Sequence, residues 1–375
     1  MKEEIERLKE KNLYRELREI ETPQGKRVIV GGRELLNFSS NDYLGLAKEF
    51  DCECLKRWGA GSGASRLVCG SFTVHRELER RLAELKKTED SLLFSTGYMA
   101  NLGVISTLAG KGDLILSDEL NHASIIDGIR LSRVEKVVYP HRSWEFVEEY
   151  LRKNREKYRR CFIITDSVFS MDGDIAPLDR LFEIKEKYDA ILVIDDAHAT
   201  GVVGWSSLEL FKIEPDEKTV IVGTLGKALG TFGAFVCGSR ALREYLINRC
   251  RSFIFTTALP PFIACQTLKN IEKVPERMEK LCRLIELFRD LTGIESRSAV
   301  FPYIVGSERE AVELSNYLFE KGFFVPAIRP PTVKESRLRI TITAEHSEEE
   351  LKGLWKTIKN FKKRAGEPPR GGCQS

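Results

Sequence analysis

The chain is expected to be an α/β protein on a mostly parallel sheet, and three observations carry that expectation. From Ser91 to Thr257 the order strand, turn, helix recurs without a long interruption. Several strand candidates are nearly continuous apolar runs, such as Phe162-Ile163-Ile164 and Ile191-Leu192-Val193-Ile194, as befits a sheet covered on both faces. Polar residues stand where those runs end, at Asp166, Asp195 and Thr224, and in such sheets ligands bind at the carboxyl ends of strands. The expected architecture is a large domain with a sheet of the seven-stranded type, a smaller C-terminal α+β domain and an N-terminal helical segment. The 375 residues suit that division better than one small core.

Residues from Met1 to about Leu17 read as an amphipathic helix, with Ile5, Leu8, Leu13 and Leu17 near one face. Short strands follow at Arg27-Val30 and Glu34-Asn37. Strands of the main sheet are placed at Ser91-Phe94, Asp113-Ser117, Val134-Tyr139, Cys161-Asp166, Ala190-Asp195, Thr219-Thr224, Gly233-Cys237 and Ser252-Thr256. After a linker at Lys273-Pro275 comes a long helix. The pattern then gives strand Val300-Val305, helix Glu308-Lys321, strands Phe323-Ile328 and Arg337-Thr343, and helix Glu348-Lys362. The boundaries drawn are 1–50 for the N-terminal segment, 51–270 for the large domain and 271–365 for the small domain. The Gly/Pro-rich end, 366–375, is expected to be a disordered tail.

Lys and Arg total 59 against 56 acidic residues, a net charge of +3, which gives no electrostatic case for nucleic acid as a partner. No apolar run approaches a membrane span and Met1-Arg7 is charged, so a cytoplasmic protein is expected. The nine cysteines lack a Cys-x-x-Cys pair and read as reduced thiols, and the five histidines never fall at metal-ligand spacing. Gly59-x-Gly61-x-x-Ala64 follows Lys56-Arg57-Trp58 rather than an apolar strand, so it is not a dinucleotide-binding turn.

Two motifs at strand ends carry chemistry. One is Ile194-Asp195-Asp196-Ala197-His198; the other is Val222-Gly223-Thr224-Leu225-Gly226-Lys227-Ala228-Leu229-Gly230. An acid, a histidine, a hydroxyl and a lysine in a glycine-rich turn match the needs of pyridoxal 5′-phosphate (PLP). Lysine forms a Schiff base with the aldehyde, and a carboxylate keeps the pyridine nitrogen protonated so that the ring becomes an electron sink. Thr224 is a candidate for the phosphate, and Gly226 and Gly230 allow close approach of the backbone. A surface lysine after an ordinary buried strand is the plain alternative for Lys227, made improbable by the second motif at a matching strand end.

Further motifs bring in a resemblance: Asn37-Phe38-Ser39-Ser40-Asn41-Asp42-Tyr43-Leu44-Gly45-Leu46, Gly61-Ser62-Gly63-Ala64-Ser65-Arg66, Ser95-Thr96-Gly97-Tyr98-Met99-Ala100-Asn101, Asn121-His122-Ala123-Ser124 and Phe169-Ser170-Met171-Asp172-Gly173-Asp174. With the two strand-end motifs they make the chain resemble the α-oxoamine synthases. These are fold-type I PLP enzymes that join an amino acid to an acyl-CoA with loss of carbon dioxide. Asp195-Asp196-Ala197-His198-Ala199-Thr200-Gly201 and Ala327-Ile328-Arg329-Pro330-Pro331-Thr332-Val333 are most similar to the branch condensing L-alanine with pimeloyl-CoA, or a pimeloyl-carrier thioester, in biotin synthesis. Ala199 stands where many relatives carry glycine, and Asp166 where glutamate is expected.

The resemblance implies roles. Lys227 carries the cofactor and moves the substrate's α-proton. Asp195, three residues before His198, pairs with the pyridine nitrogen; Asp196 faces the other way and is read as a structural acid. His198 and Ser170 hydrogen-bond the phenolic oxygen. His122 stacks on the ring, with helix capping before Ser124 as the alternative. Gly97 and Tyr98 open a helix whose amides hold the phosphate, together with Thr224. Thr256 or Thr257 reaches that phosphate from a partner subunit, which implies a homodimer. Arg329, with Asn41 in support, is the candidate for the amino-acid carboxylate, and Arg15 and Thr332 are candidate acyl contacts. The competing readings are the branch that uses glycine and acetyl-CoA, an aminotransferase, and a non-catalytic partner subunit. Lys227 argues against the last.

Overall fold

The computed structural model describes residues 1–10, 14 and 16–365. The N-terminal part contains α1 (Lys2–Glu10), β1 (Arg27–Val30) and β2 (Arg33–Asn37). Arg15 and part of the helix expected to run to Leu17 lie outside the described residues, and α1 ends at Glu10.

The large central part opens with α2 (Cys52–Trp58), α3 (Thr73–Leu85), β3 (Asp90–Phe94) and α4 (Gly97–Leu108). It continues with β4 (Leu114–Asp118), α5 (Ala123–Ser132), β5 (Glu135–Tyr139), α6 (Trp144–Asn154) and β6 (Cys161–Asp166). Then follow α7 (Leu178–Lys187), β7 (Ile191–Asp195), β8 (Thr219–Thr224) and β9 (Ala234–Gly238). It closes with α8 (Arg240–Arg249), α9 (Arg251–Ile254) and α10 (Pro261–Ile271). The seven strands form one sheet in the order β3-β9-β8-β7-β6-β4-β5, in which only β9 runs against its neighbours.

The apolar runs are buried on both faces, as expected. Alternate side chains point to opposite sides of a strand, so Ile163, Leu192, Ile194 and Ile221 enter one core cluster while Phe162, Ile164, Val193 and Val222 enter another.

Ser252–Thr256 is not a strand, contrary to expectation. Ser252 Oγ bonds the Met99 carbonyl at 2.8 Å, and Phe253 drops into the core against Phe94, ring centroids 5.7 Å apart. Those contacts fold the segment into the short helix α9, with Phe255 left exposed.

The C-terminal part comprises α11 (Val274–Thr292), β10 (Val300–Ile304), α12 (Glu308–Glu320), β11 (Phe323–Phe324), β12 (Ala327–Ile328), β13 (Arg337–Thr341) and α13 (Glu348–Ala365). The single strand expected over Phe323–Ile328 is two. Phe323 and Phe324 pair with β2, whereas Ala327 and Ile328 pair with β13. Pro326, which has no N–H to give a ladder, lies between them. Through β11 the N-terminal strands share a sheet with the C-terminal part.

The nine cysteines are not all reduced thiols, as had been expected: Cys54 of α2 is bonded to Cys265 of α10. No spacing signal could reveal a pair separated by 211 residues, and the two become neighbours only because the helices pack side by side. Asp51 reinforces the docking, its N–H donating to Gln266 Oε1 at 2.7 Å and its carboxylate pairing with Lys269.

Candidate active site

The ends of three adjacent parallel strands define the site. β6 ends in Asp166, β7 in Asp195 and β8 in Thr224, and Asp166 is the register partner of Asp195. β8 runs directly into the turn that carries Lys227. That turn is folded by the Leu225 carbonyl accepting from the Thr231 N–H at 2.9 Å, and it rests on α10, where Asn270 Nδ2 donates to the Leu229 carbonyl at 2.9 Å. Gly230 (φ +67°) makes the turn possible, because a Cβ there would come within 2.4 Å of the Leu46 backbone.

Burial lowers the pKa of the Lys227 amine, and nearby Arg339 acts in the same direction. Asp195 and Asp166 oppose this without reversing it. The amine is thus more readily neutral than an exposed lysine. Asp166 is driven the other way: burial, then the neighbouring charge of Asp195, raises its pKa well above the ordinary carboxylate value.

The two acids of the Asp195-Asp196 pair have separate environments. Asp195 Oδ2 accepts from Asn101 Nδ2 at 2.6 Å, and Oδ1 accepts from the Ala197 N–H at 2.9 Å. Asp196 faces the core, where Lys86 Nζ lies 2.7 Å away and the Ser207 N–H donates to it at 3.1 Å. It is a structural ion pair, and the strand's alternation leaves Asp195 to the site.

His198 Nδ1 lies 2.6 Å from the hydroxyl of buried Tyr43. Burial, with Lys227 and Arg339 adding to it, holds the His198 pKa well below its ordinary value. His122 caps α5 by accepting from the Ser124 N–H, and its own N–H donates to Asp166 Oδ2 at 2.7 Å. Capping and a place at the site are therefore compatible, since the ring itself remains exposed beside Tyr98, centroids 6.5 Å apart.

The phosphate candidates converge. Gly97 and Tyr98 form the first turn of α4, where backbone N–H groups have no carbonyl within the helix. Thr224 sits against that turn: a Cβ on Gly97 would come within 2.8 Å of Thr224 Cγ2. Thr224 Oγ1 is buried without a hydrogen-bond partner, a costly condition that an anion at the helix end would relieve. The Tyr98 hydroxyl is committed to Asp127. Thr256 and Thr257 follow α9, and the Thr257 carbonyl accepts from Ser95 Oγ at 3.2 Å in the same chain, next to the α4 cap. These residues fit PLP: an anion site, an acid at a strand end, a histidine free to stack and a desolvated lysine.

Arg339 was not anticipated from the sequence. It is 5% exposed on β13, and its guanidinium donates to the Ser170 carbonyl, to Asn41 Oδ1 at 3.0 Å and to the Tyr43 hydroxyl at 3.4 Å. All of these partners are neutral, whereas neighbouring Arg337 is paired with Asp172. A buried guanidinium beside Lys227 with neutral partners invites a carboxylate. The available signal was the Arg337-Leu338-Arg339 alternation in an otherwise apolar strand.

Arg329 instead lines two cavities of about 1230 Å³ and about 660 Å³. The smaller also touches Tyr14, Leu17, Arg18 and Thr332, and Thr332 in turn lines a third, of about 420 Å³, that reaches Ser170. Among the described residues no group of His, Cys, Asp or Glu could hold a metal ion, and no helix is long and apolar enough to cross a membrane.

The fold and this constellation define a fold-type I PLP enzyme, an acyltransferase of the α-oxoamine synthase kind. The family model described as aminotransferase class I and II matches residues 33–358. The 8-amino-7-oxononanoate synthase of Methylococcus capsulatus is 46% identical over 375 residues, covering 94% of this chain and 95% of that protein. That of Thermoanaerobacter pseudethanolicus is 43% identical over 383 residues, covering 97% and 96%. Among solved structures, a serine palmitoyltransferase from S. paucimobilis with a bound PLP–myriocin aldimine superposes with a TM-score of 0.89 at 29% identity, covering 97% of each chain. An 8-amino-7-oxononanoate synthase from Francisella tularensis does so at 0.73 and 29%, covering 88% of this chain and 98% of that one. The chain belongs to the aminotransferase class I and II family, within its 8-amino-7-oxononanoate synthase group.

Proposed function

We propose that the protein condenses L-alanine with pimeloyl-CoA or a pimeloyl-carrier thioester, releasing carbon dioxide to form 8-amino-7-oxononanoate for biotin synthesis. The observation that carries this reading is 43–46% identity over nearly the whole chain to synthases of that name, together with the desolvated Lys227 facing Asp195. PLP supplies the electron sink that makes the amino acid's α-carbon acidic and then nucleophilic.

The protein's own groups do the rest. Asp195, its carboxylate fixed by Asn101, would keep the ring nitrogen protonated. Thr224 Oγ1 and the first-turn amides of α4 would hold the phosphate. His122 would stack on the ring, while His198, held by Tyr43, and Ser170 would hydrogen-bond the phenolic oxygen. Lys227 Nζ takes the α-proton, a role suited to an amine whose pKa burial has lowered. Arg339 is assigned the amino-acid carboxylate, with Asn41 beside it, and Arg329 and Thr332 the acyl side, where they line a cavity of about 660 Å³. Arg15 stays with the acyl side by resemblance alone. A homodimer would bring Thr256 or Thr257 to the phosphate of the other subunit.

The test is an assay of thioester cleavage and carbon dioxide release across alanine, glycine and serine with pimeloyl, acetyl and palmitoyl thioesters. Borohydride should fix the cofactor to Lys227, as read by peptide mass. Lys227→Ala with full condensation activity would refute the central assignment.

A further inference from the structure

Asn101 stands in α4, 2% exposed, among Ala100, Val104 and Ile105. Asparagine is a poor helix former, and a buried one has four hydrogen-bonding positions to satisfy. Here both Nδ2 protons are used. One goes to Asp195 Oδ2 at 2.6 Å, the other to Ser124 Oγ at 2.9 Å. Its Oδ1 is buried without a partner, so the amide is held entirely by its donor side. An aspartate at this place would set a carboxylate against Asp195, and a leucine would have no proton to give.

Ser124 carries the connection onward. Its hydroxyl accepts from Asn101 and lies 2.7 Å from His122 Nδ1, to which its single proton can be given. The Ser124 N–H points at the same nitrogen at 3.3 Å. The Ser124 backbone N–H can only donate, so Nδ1 is set as an acceptor and the ring proton of the neutral imidazole falls on Nε2, with the Ser124 hydroxyl placed to donate to Nδ1 as well. The His122 backbone is anchored separately, its N–H on Asp166 Oδ2. Histidine and Asp195 are thus joined through two intervening side chains, while Asp166 holds the same histidine from the adjacent strand.

We propose that Asn101 and Ser124 are positioning residues that tie His122 to Asp195, fixing the imidazole as its Nε2–H tautomer over the cofactor ring. This rests on the reading that Asp195 pairs with the ring nitrogen and that His122 stacks on the ring. The consequence is that His122 presents an N–H donor, not an acceptor, at its free edge. A group approaching that edge, such as the thioester carbonyl oxygen, meets a donor already oriented.

Histidine-labelled ¹⁵N spectra of the cofactor-free and cofactor-loaded protein test the proposal, with His122→Gln assigning the signal. Wild type should show His122 as Nε2–H in both forms. Ser124→Ala should give a mixture of tautomers and lower kcat about tenfold, a loss of the size seen when a metal-bound histidine loses the partner that orients it. KM for the amino acid should stay within about twofold, because Arg339 is untouched. Ser124→Thr, which keeps the hydroxyl, should restore both. Asn101→Ser, too short to span the gap, should loosen the tautomer as Ser124→Ala does. A single Nε2–H tautomer and unchanged kcat in Ser124→Ala would overturn the proposal. Failure of borohydride to label Lys227 in wild type would instead remove the underlying reading, and the cofactor-free spectra would still report on the tie.

Discussion

Asp166 and Asp195 are register partners at the ends of two adjacent strands, Asp166 accepting from the His122 backbone N–H and Asp195 from Asn101 Nδ2 in α4. Burial, and after it the neighbouring charge of Asp195, raises the Asp166 pKa well above the ordinary carboxylate value. A carboxyl whose pKa is higher folded than unfolded stabilises the fold relatively at low pH. That advantage is lost as pH rises through the folded value.

Asp166→Asn should therefore stabilise the cofactor-free protein at neutral and higher pH. Asparagine keeps an oxygen for the His122 N–H and abolishes the charge. The gain in melting temperature should be roughly 1–3 °C at pH 8 and should vanish below about pH 4, where Asp166 is protonated folded or unfolded. Melting curves from about pH 3 to 8 check this. A gain independent of pH would mean that charge is not the cause.

Arg339 and Arg329 can be separated kinetically. Arg339→Ala removes a guanidinium from beside Lys227 and should raise KM for alanine with little change for the thioester. The loss in kcat/KM should be about 10- to 100-fold, as for a charge-assisted bond of about 1.5–3 kcal/mol. Arg329→Ala should do the reverse, since Arg329 lines the outer cavities. Steady-state kinetics with each substrate varied in turn decide between them.

The Cys54–Cys265 bond ties α2 to the helix on which the Lys227 turn rests. Closing a long loop restricts the unfolded chain, worth about 2–4 kcal/mol in typical cases. Dithiothreitol should lower the melting temperature by several degrees. Cys265→Ser should melt at that lower value and no longer respond to the reductant. Thiol counting before and after reduction fixes the redox state in each sample.

Much of this was legible in the sequence because strand ends and strand interiors obey different chemistry. The two-sided burial of Phe162–Ile164 and Ile191–Ile194 shows as unbroken apolarity, and the site residues Asp195, Thr224 and Lys227 stand where that apolarity stops. What was hidden depends on distant segments. Ser252–Thr256 reads as a short apolar run like a buried strand, yet Phe253 is captured by Phe94 and the segment coils. Arg339 reads as one of many charges until Asn41, Tyr43 and Ser170, all far away in sequence, are seen around it. Asn101 sits in an apolar helix and gains meaning only from Asp195 and Ser124.

A homodimer should form across the face that carries Val68 and Phe255. Both are strongly exposed, at 78% and 71%, and their loops are joined through the Ala258 N–H to the Ala64 carbonyl, close to the α4 end of the site. Phe255→Asp should shift light scattering toward a monomer and weaken PLP retention, if Thr256 or Thr257 reaches the neighbouring phosphate. An active monomer in the wild type at assay concentration would exclude a shared site.

Selectivity should be stronger for the acyl chain than for the amino acid. Alanine differs from glycine by one methyl group, and a single methyl in an apolar pocket discriminates by only about 1–3 kcal/mol. A pimeloyl chain offers several methylenes at about 0.8 kcal/mol each on burial, and a distal carboxylate for a cation. The cavity lined by Thr332, Arg329 and Arg18 has room for such a chain and guanidinium groups on its walls. In competition assays glycine should replace alanine with a loss of about 10- to 100-fold in kcat/KM. Acetyl-CoA in place of pimeloyl-CoA should cost considerably more, and Arg329→Ala should narrow that acyl preference while leaving the ratio of alanine to glycine unchanged. Equal turnover of glycine with acetyl-CoA would move the protein to the branch that uses those substrates, with the roles of Lys227 and Asp195 intact.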